Sequence, residues 1–265
     1  CVHRSAREWT WEDGSLRCGL AQLRGLSRRT LEAIVSERAR APFDELDDFV
    51  SRTGATAPEA ASLVLCGALD GVGAGPRPAR LWRLQCLARK AMPPHGPMPS
   101  LGFTNRAAPP GTSPWRELEL EEQVAHEIET LDVPLSAHPV ALAVRRLGRS
   151  ARVAGRTEAA RLGGEDPAVV LGWAAAARRV RTKRGEPMLF LTLEDETGLA
   201  ECTLFPVAYA RYGHLVRAGG ILAATGRVEA PYGAPTLNVE RLECIDTAFS
   251  NEVNAPRAAN ESAEA

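Results

Sequence analysis

The chain has 265 residues, enough for two domains with cores of their own. Its 32 basic and 33 acidic residues nearly cancel, so overall charge identifies no anionic partner; only the local placement of charge can. Six cysteines, at 1, 18, 66, 86, 202 and 244, form no CxxC pair, which argues against a zinc site or a disulfide scaffold and for reduced thiols in the cytoplasm. No apolar run approaches the ~20 residues of a membrane span, and no signal peptide is visible, so no membrane partner is expected. The first residue is Cys1 rather than Met, which suits a piece of a longer protein.

Residues 1–15 are polar, with Trp9 and Trp11, and the pattern assigns them to no element. From Leu16 a helical pattern is read that breaks at Leu23-Arg24-Gly25-Leu26-Ser27 and resumes from Ser27 to Ala39, with Leu31, Ile34 and Val35 on one face. Ser27 is the expected N-cap, because its hydroxyl can satisfy a free amide of the first turn. Helix, tight glycine turn and helix make a helix-hairpin-helix. The turn and the second helix start present N–H groups to a phosphate, aided by the helix dipole. Arg24, Gly25, Ser27, Arg28 and Arg29 are the candidate contacts. Ser27 stands where the usual motif has a second glycine. The plainer alternative is an ordinary helical hairpin with solvated arginines.

Further helices are expected from Pro42 to about Thr53, from Pro58 to Cys66 and from Ala79 to Ala91, making residues 16–91 an all-helical domain. Residues 92–114 are rich in Pro, Gly and Ser and read as a linker. Within it Leu101 and Phe103 belong to a short apolar cluster, which either docks into a partner's groove or packs on its own domain. Residues 115–150 read as a helical connector, with an acidic helix over Trp115–Leu131 and a short one over Val140–Leu147. The tail, 247–265, has little to bury and is expected to be disordered.

Residues 168–246 read as five strands: Val169–Arg181, Met188–Asp195, Leu199–Phe205, Ile221–Glu229 and Thr236–Cys244, with a helix over Val207–Arg217. The alternation is clearest where Leu189, Leu191 and Leu193 oppose Phe190, Thr192 and Glu194. Five strands with a helix between the third and fourth is the order of an oligonucleotide-binding (OB) barrel. The expected fold is therefore a helix-hairpin-helix domain followed by a five-stranded OB-fold β-barrel.

Such barrels hold single strands with a basic groove and aromatic platforms. Arg178, Arg179, Arg181, Lys183 and Arg184 gather around the first hairpin. Arg227 extends the patch from the fourth strand, and Tyr232 sits in the last hairpin loop. Contacts to phosphates carry no base-specific readout. For single residues the bland reading stands beside this one: loop arginines are often only solvated, and a loop tyrosine often only caps a barrel. No catalytic or metal constellation emerges: His3, His95 and His214 have no Cys or Asp at ligand spacing. Glu194, Asp195 and Glu196 allow a metal pair, though a polar turn explains them as well.

The stretch Leu16-Arg-Cys-Gly-Leu-Ala-Gln-Leu-Arg-Gly25 resembles the helix-hairpin-helix region of bacterial DNA polymerase III alpha subunits. Pro42-Phe-Asp-Glu-Leu-Asp-Asp-Phe49, Leu65-Cys-Gly-Ala-Leu-Asp70 and Leu131-Asp-Val-Pro-Leu-Ser-Ala-His-Pro139 resemble later parts of the same family in the same order. Thr182-Lys183-Arg184-Gly185, Leu193-Glu-Asp-Glu-Thr-Gly198 and Leu204-Phe205 are similar to its OB domain. The Ser136-Ala-His-Pro139 form, and an end soon after the barrel, resemble the error-prone, lesion-bypass branch.

The resemblance implies the C-terminal DNA-binding region of an error-prone polymerase, with helices gripping duplex phosphates and the barrel holding single-stranded template. It places the catalytic aspartates and their Mg2+ on a palm domain upstream of these residues, so this chain alone is expected to bind no cofactor and to catalyse nothing. The implied partners are duplex and single-stranded DNA, with a sliding clamp (through Leu101 and Phe103, without the usual glutamine) and other mutagenesis proteins as further candidates. The rivals are a free-standing helix-hairpin-helix/OB adaptor in DNA repair and a protein–protein scaffold, since fold does not fix function.

Overall fold

The computed structural model describes residues 1–90, 115–148, 156–163, 167–230 and 233–246. Two compact units divide the chain, Cys1–Val133 and Pro134–Ala265.

The first unit opens with a hairpin, β1 (Thr10–Glu12) and β2 (Ser15–Arg17), rather than the helix expected from Leu16. Asp13 and Gly14 both adopt positive φ (50° and 78°), the demand of a two-residue hairpin turn that Asp-Gly meets cheaply. Residues 20–22 form one 3-10 turn. The chain is held there by amides of Leu20 and Ala21 donating to the carbonyls of Ala6 and Arg7. That is why a helical pattern fails to extend: the backbone bonds outward to the irregular N-terminal segment.

Four helices follow: α1 (Arg28–Arg40), α2 (Leu46–Thr53), α3 (Ala57–Leu65) and α4 (Arg77–Lys90). Residues 42–45, expected to be helical, are not; Arg52 draws them against α2 by donating to the Pro42 carbonyl at 2.9 Å and lying 4.6 Å over the Phe43 ring. α5 (Leu120–Leu131) starts five residues later than the pattern suggested and lies within this unit. Ile34, Phe43, Phe49, Leu63, Val64 and Leu69 are almost wholly buried, and Leu131 of α5 joins the same core. Val2 is buried there too, so the unassigned N-terminus is part of the packing.

The second unit begins with α6 (Pro139–Leu147). The strands are β3 (Ala168–Arg181), β4 (Pro187–Asp195), β5 (Gly198–Leu204), β6 (Ile221–Glu229) and β7 (Thr236–Asp246), with α7 (Pro206–Ala218) between β5 and β6. They close as a barrel in the order β3-β4-β5-β7-β6, antiparallel except for β5 with β7. The five-stranded barrel with its intervening helix is the expected OB architecture, with boundaries within two residues of those read from the alternation. Val170, Leu189, Leu191, Leu193, Leu204, Leu222, Leu237 and Leu242 fill its interior. α6 lies on the outside of the wall through Val140 and Ala143 against Leu171, Ile221 and Ala223. His138 accepts the Val140 amide at 3.2 Å as the cap of α6, and its other ring nitrogen lies 3.8 Å from Glu194 of β4.

β3 changes partner along its length. Its first six residues pair with β6, and from Ala176 onward it pairs only with β4. A register shift between Ala174 and Ala176 marks the change. Beyond it, β3 is paired with β4 alone while β4 stays paired with β5 as far as Leu189, so that only the tip of the β3–β4 hairpin runs past the barrel wall.

Candidate nucleic-acid interface

The candidate residues fall into one group in each unit. In the first, Gly25 has φ +76°, and a side chain there would meet nothing within 4 Å, so the turn is open to the outside. Ser27 caps α1 as expected: its hydroxyl accepts the Thr30 amide at 3.2 Å. Its own amide, however, donates to Glu59 at 2.9 Å. Glu59 is buried and also accepts the amide and hydroxyl of Thr56, each at 2.8 Å. Burial pushes the Glu59 carboxyl up, but the hydrogen bonds from Ser27 and Thr56 outweigh it and hold it at about 2. Among the described residues, the backbone amides of Gly25, Arg28 and Arg29 keep no protein acceptor, as the first turn of a helix leads one to expect.

The arginines of this turn differ. Arg24 forks onto Asp132, with Nε at 2.8 Å from one oxygen and a second donor on the other. Arg28 pairs with Glu32 at 2.7 Å, one turn along the same exposed helix face. Arg29 is exposed and has no carboxylate partner among the described residues. Three arginines close in sequence thus leave one uncommitted cation beside three open amides.

In the second unit, alternation sorts the hairpin. Arg178 stands opposite Phe190, while Arg179 and Arg181 stand opposite Leu189 and Pro187 on the other side of the ribbon. Arg181 folds back to donate to the Gly185 carbonyl at 2.9 Å, inside a tight loop closed by Thr182. Arg179, Val180, Arg181 and Pro187 line a hollow of about 400 Å³. Arg178, Lys183 and Arg184 are exposed, and none has a carboxylate partner among the described residues. Arg227 pairs with Glu240 at 3.2 Å, both well exposed, a contact worth little in water.

Arg178 and Arg227 lie at the two ends of one row that follows the curve of the wall, exposed at both ends and at Phe190 but closed over at Thr203, which is 4% exposed. Arg178 of β3 faces Phe190 of β4, which faces Thr203 of β5, then Asn238 of β7, then Arg227 of β6. Phe190 is 44% exposed, an aromatic on the water side of a strand whose inward residues are leucines. It was not among the sequence candidates, although its place in the polar register beside Thr192 and Glu194 is a signal the alternation itself contains. The next row, one step along the strands, is polar and acidic: Thr192 donates to Glu201 at 3.0 Å. Tyr232, Leu101 and Phe103 lie outside the described residues.

The acidic trio resolves as a polar turn. Asp195 is buried and accepts from the amides of Ala159, Thr197 and Gly198 and the Thr197 hydroxyl. Glu196 pairs with Arg156, and Glu194 is the residue near His138. Among the described residues no three His, Cys, Asp or Glu side chains converge as metal ligands, and no helix is long and apolar enough to cross a membrane.

Residues 1–79 match the family described as "Helix-hairpin-helix motif", and residues 168–245 match "OB-fold nucleic acid binding domain". An error-prone DNA polymerase of Symbiobacterium thermophilum is 31% identical over 262 residues, covering 91% of this chain and 24% of that protein. One of Anaeromyxobacter dehalogenans is 32% identical over 92% of this chain and 20% of its own length. One of Mycobacterium bovis is 31% identical over 91% of this chain and 21% of its own length. The chain therefore spans only a fifth to a quarter of the length of these relatives. Among solved structures, the second OB-fold domain of replication protein A from Methanococcus maripaludis is similar at 20% identity over 34% of this chain and 94% of that one, with a TM-score of 0.27.

Proposed function

Because this chain is homologous to the C-terminal region of error-prone DNA polymerases and carries helix-hairpin-helix and OB-fold nucleic-acid-binding domains, we propose that it is the part of such an enzyme that holds DNA during lesion bypass. The barrel takes the unpaired template strand, and the helical unit takes the phosphates of the duplex behind it. Nucleotide transfer, and the Mg2+ it needs, belong to the remainder of the polymerase.

One observation carries the barrel half of this reading. Arg178, Lys183 and Arg184 stand along the β3–β4 hairpin, exposed and without carboxylate partners among the described residues, at the margin of a wall that bears an exposed Phe190. Side chains in that state exchange their hydration for phosphate oxygens and release counterions from the strand as they do so. In the helical unit, Arg29 and the open amides of Gly25, Arg28 and Arg29 support a phosphate contact. The Arg24 and Arg28 side chains, held by Asp132 and Glu32, contribute less.

The test is titration of a single-stranded oligonucleotide across a salt series. Replacing Arg178, Lys183 and Arg184 together by Ala should weaken binding to all sequences alike and flatten the log K against log salt slope by about 2, at roughly 0.7 per phosphate contact. Unchanged affinity and slope would remove the hairpin as the binding surface. Arg29→Ala should weaken duplex binding while leaving single-strand binding alone; the reverse pattern would reassign the helical unit.

A further inference from the structure

Two large aromatic side chains face water on the barrel wall, and neither serves the core. Phe190 is 44% exposed and Phe205 is 49% exposed, and both are absent from the packed interior. Phe190 stands opposite Thr203, and Leu189 opposite Leu204. Leu204 is wholly buried, so alternation puts Phe205, two residues beyond Thr203, on the same outward side as Phe190 and diagonal to it. The backbone of Phe205 is still extended (φ −63°, ψ 165°) although it caps α7. Each ring leaves about half of its surface in water and forgoes the burial that half would gain in the core.

The spacing selects the occupant. Diagonal neighbours on paired strands lie roughly 7–8 Å apart, about twice the ~3.4 Å rise per nucleotide of a stacked strand. Two successive bases, each lying on one ring, would be parted from each other, which a duplex does not permit and an unpaired strand does. The charges agree. Arg178 lies directly across from Phe190, with Lys183 and Arg184 on the same hairpin, while Glu201 stands in the row on the far side from Phe205. A strand crossing β4 and β5 at the phenylalanines keeps its phosphates near the cations and away from that carboxylate.

We propose that Phe190 and Phe205 form a two-base stacking platform for an unpaired nucleic-acid strand. The inference rests on the barrel reading above and adds to it a contact with the faces of the bases, indifferent to their identity. Stacking of this kind is sequence-tolerant because every base has a π-face.

The experiment compares an oligo-dT with an abasic (tetrahydrofuran) oligomer of equal length, bound by the full chain. The wild type should bind dT at least tenfold more tightly than the abasic strand, since stacking contributes about 1–3 kcal/mol per base. Phe190→Ala combined with Phe205→Ala should abolish that preference, leaving abasic binding and the salt slope unchanged. Phe190→Leu, which keeps the apolar bulk, should lose its share of the preference as fully as Phe190→Ala, and hydrogen exchange of β4 and β5 amides should match the wild type. Equal binding of the two oligomers by the wild type, or a dT preference that survives the double substitution, overturns the platform while the salt slope leaves the barrel reading standing. Loss of self-association in the double variant with dT binding intact would likewise overturn it, marking the pair as a protein contact. No salt-dependent binding of either oligomer overturns both.

Discussion

The anchor of the helix-hairpin-helix turn is a residue remote from it in sequence. Glu59 takes the Ser27 amide and both donors of Thr56, and its carboxyl sits at about 2 when folded against an ordinary 4.5. A carboxyl depressed on folding stabilises above its unfolded pKa, and that stability drains as pH falls from about 4.5 toward 2. Glu59 is buried, and the contribution is on the order of 2–3 kcal/mol. Glu59→Gln should therefore flatten the acid limb of stability, read from exchange of the amides at residues 27–30; an acid limb equal to that of the wild type would show another group at work. Ser27→Ala should cost about 1 kcal/mol through the lost cap. In the barrel, Cys202 is buried and its thiol is pushed up to about 12 by burial. It should resist thiol reagents at pH 8 until the barrel is unfolded, and labelling of the folded protein at that position would contradict its place in the core.

At the scale of elements, the two kinds of structure were unequally legible. Strands of the barrel carry a strict two-residue period, because one side packs leucines and the other meets water, and their ends came within two residues. The hairpin β1–β2 carries no such period: Trp11 and Leu16 face each other at 70% and 65% exposure, so nothing in the hydrophobic pattern distinguishes it from a helix start. Its signal lay in Asp13-Gly14. Ser27 as a cap was readable because capping is local; its tie to Glu59 was not, because thirty-two residues separate them. The arginines were readable as charges but not as free or paired, since Asp132 is brought to Arg24 only by folding. β7 leaves no room for a side chain at Gly226 of β6, where a Cβ would stand 1.9 Å from the Asn238 carbonyl oxygen. Gly226→Ala must push the strands apart and should cost about 3 kcal/mol, measured by denaturant unfolding. A barrel of wild-type stability would mean that the register shift there can absorb the methyl.

Over the whole molecule, 32 cations against 33 anions give no field of one sign, so attraction for nucleic acid has to be local. Among the described residues, four exposed cations stand without a carboxylate partner: Arg29 in one unit, and Arg178, Lys183 and Arg184 in the other. Each unit also has its own interior, with core residues from 2–131 in one and from 140–242 in the other. Damage should follow that division. Glu59→Ala should raise amide exchange within residues 1–133, and Gly226→Ala within residues 134–246; an effect spread evenly over both would point to a single cooperative body.

The register shift in β3 falls at Ala174–Ala176, in a run of four alanines, just where the strand parts from β6. One strand advances two places there while its neighbour advances one, so a surplus residue is absorbed as a bend. Excising Ala175 would restore even pairing and keep Arg178 opposite Phe190, yet the ribbon beyond would lose its crook and swing to a new heading. The direction in which the charged tip reaches can thus be retuned by lengthening or shortening a stretch of featureless alanine, with no change to any residue that would touch the strand.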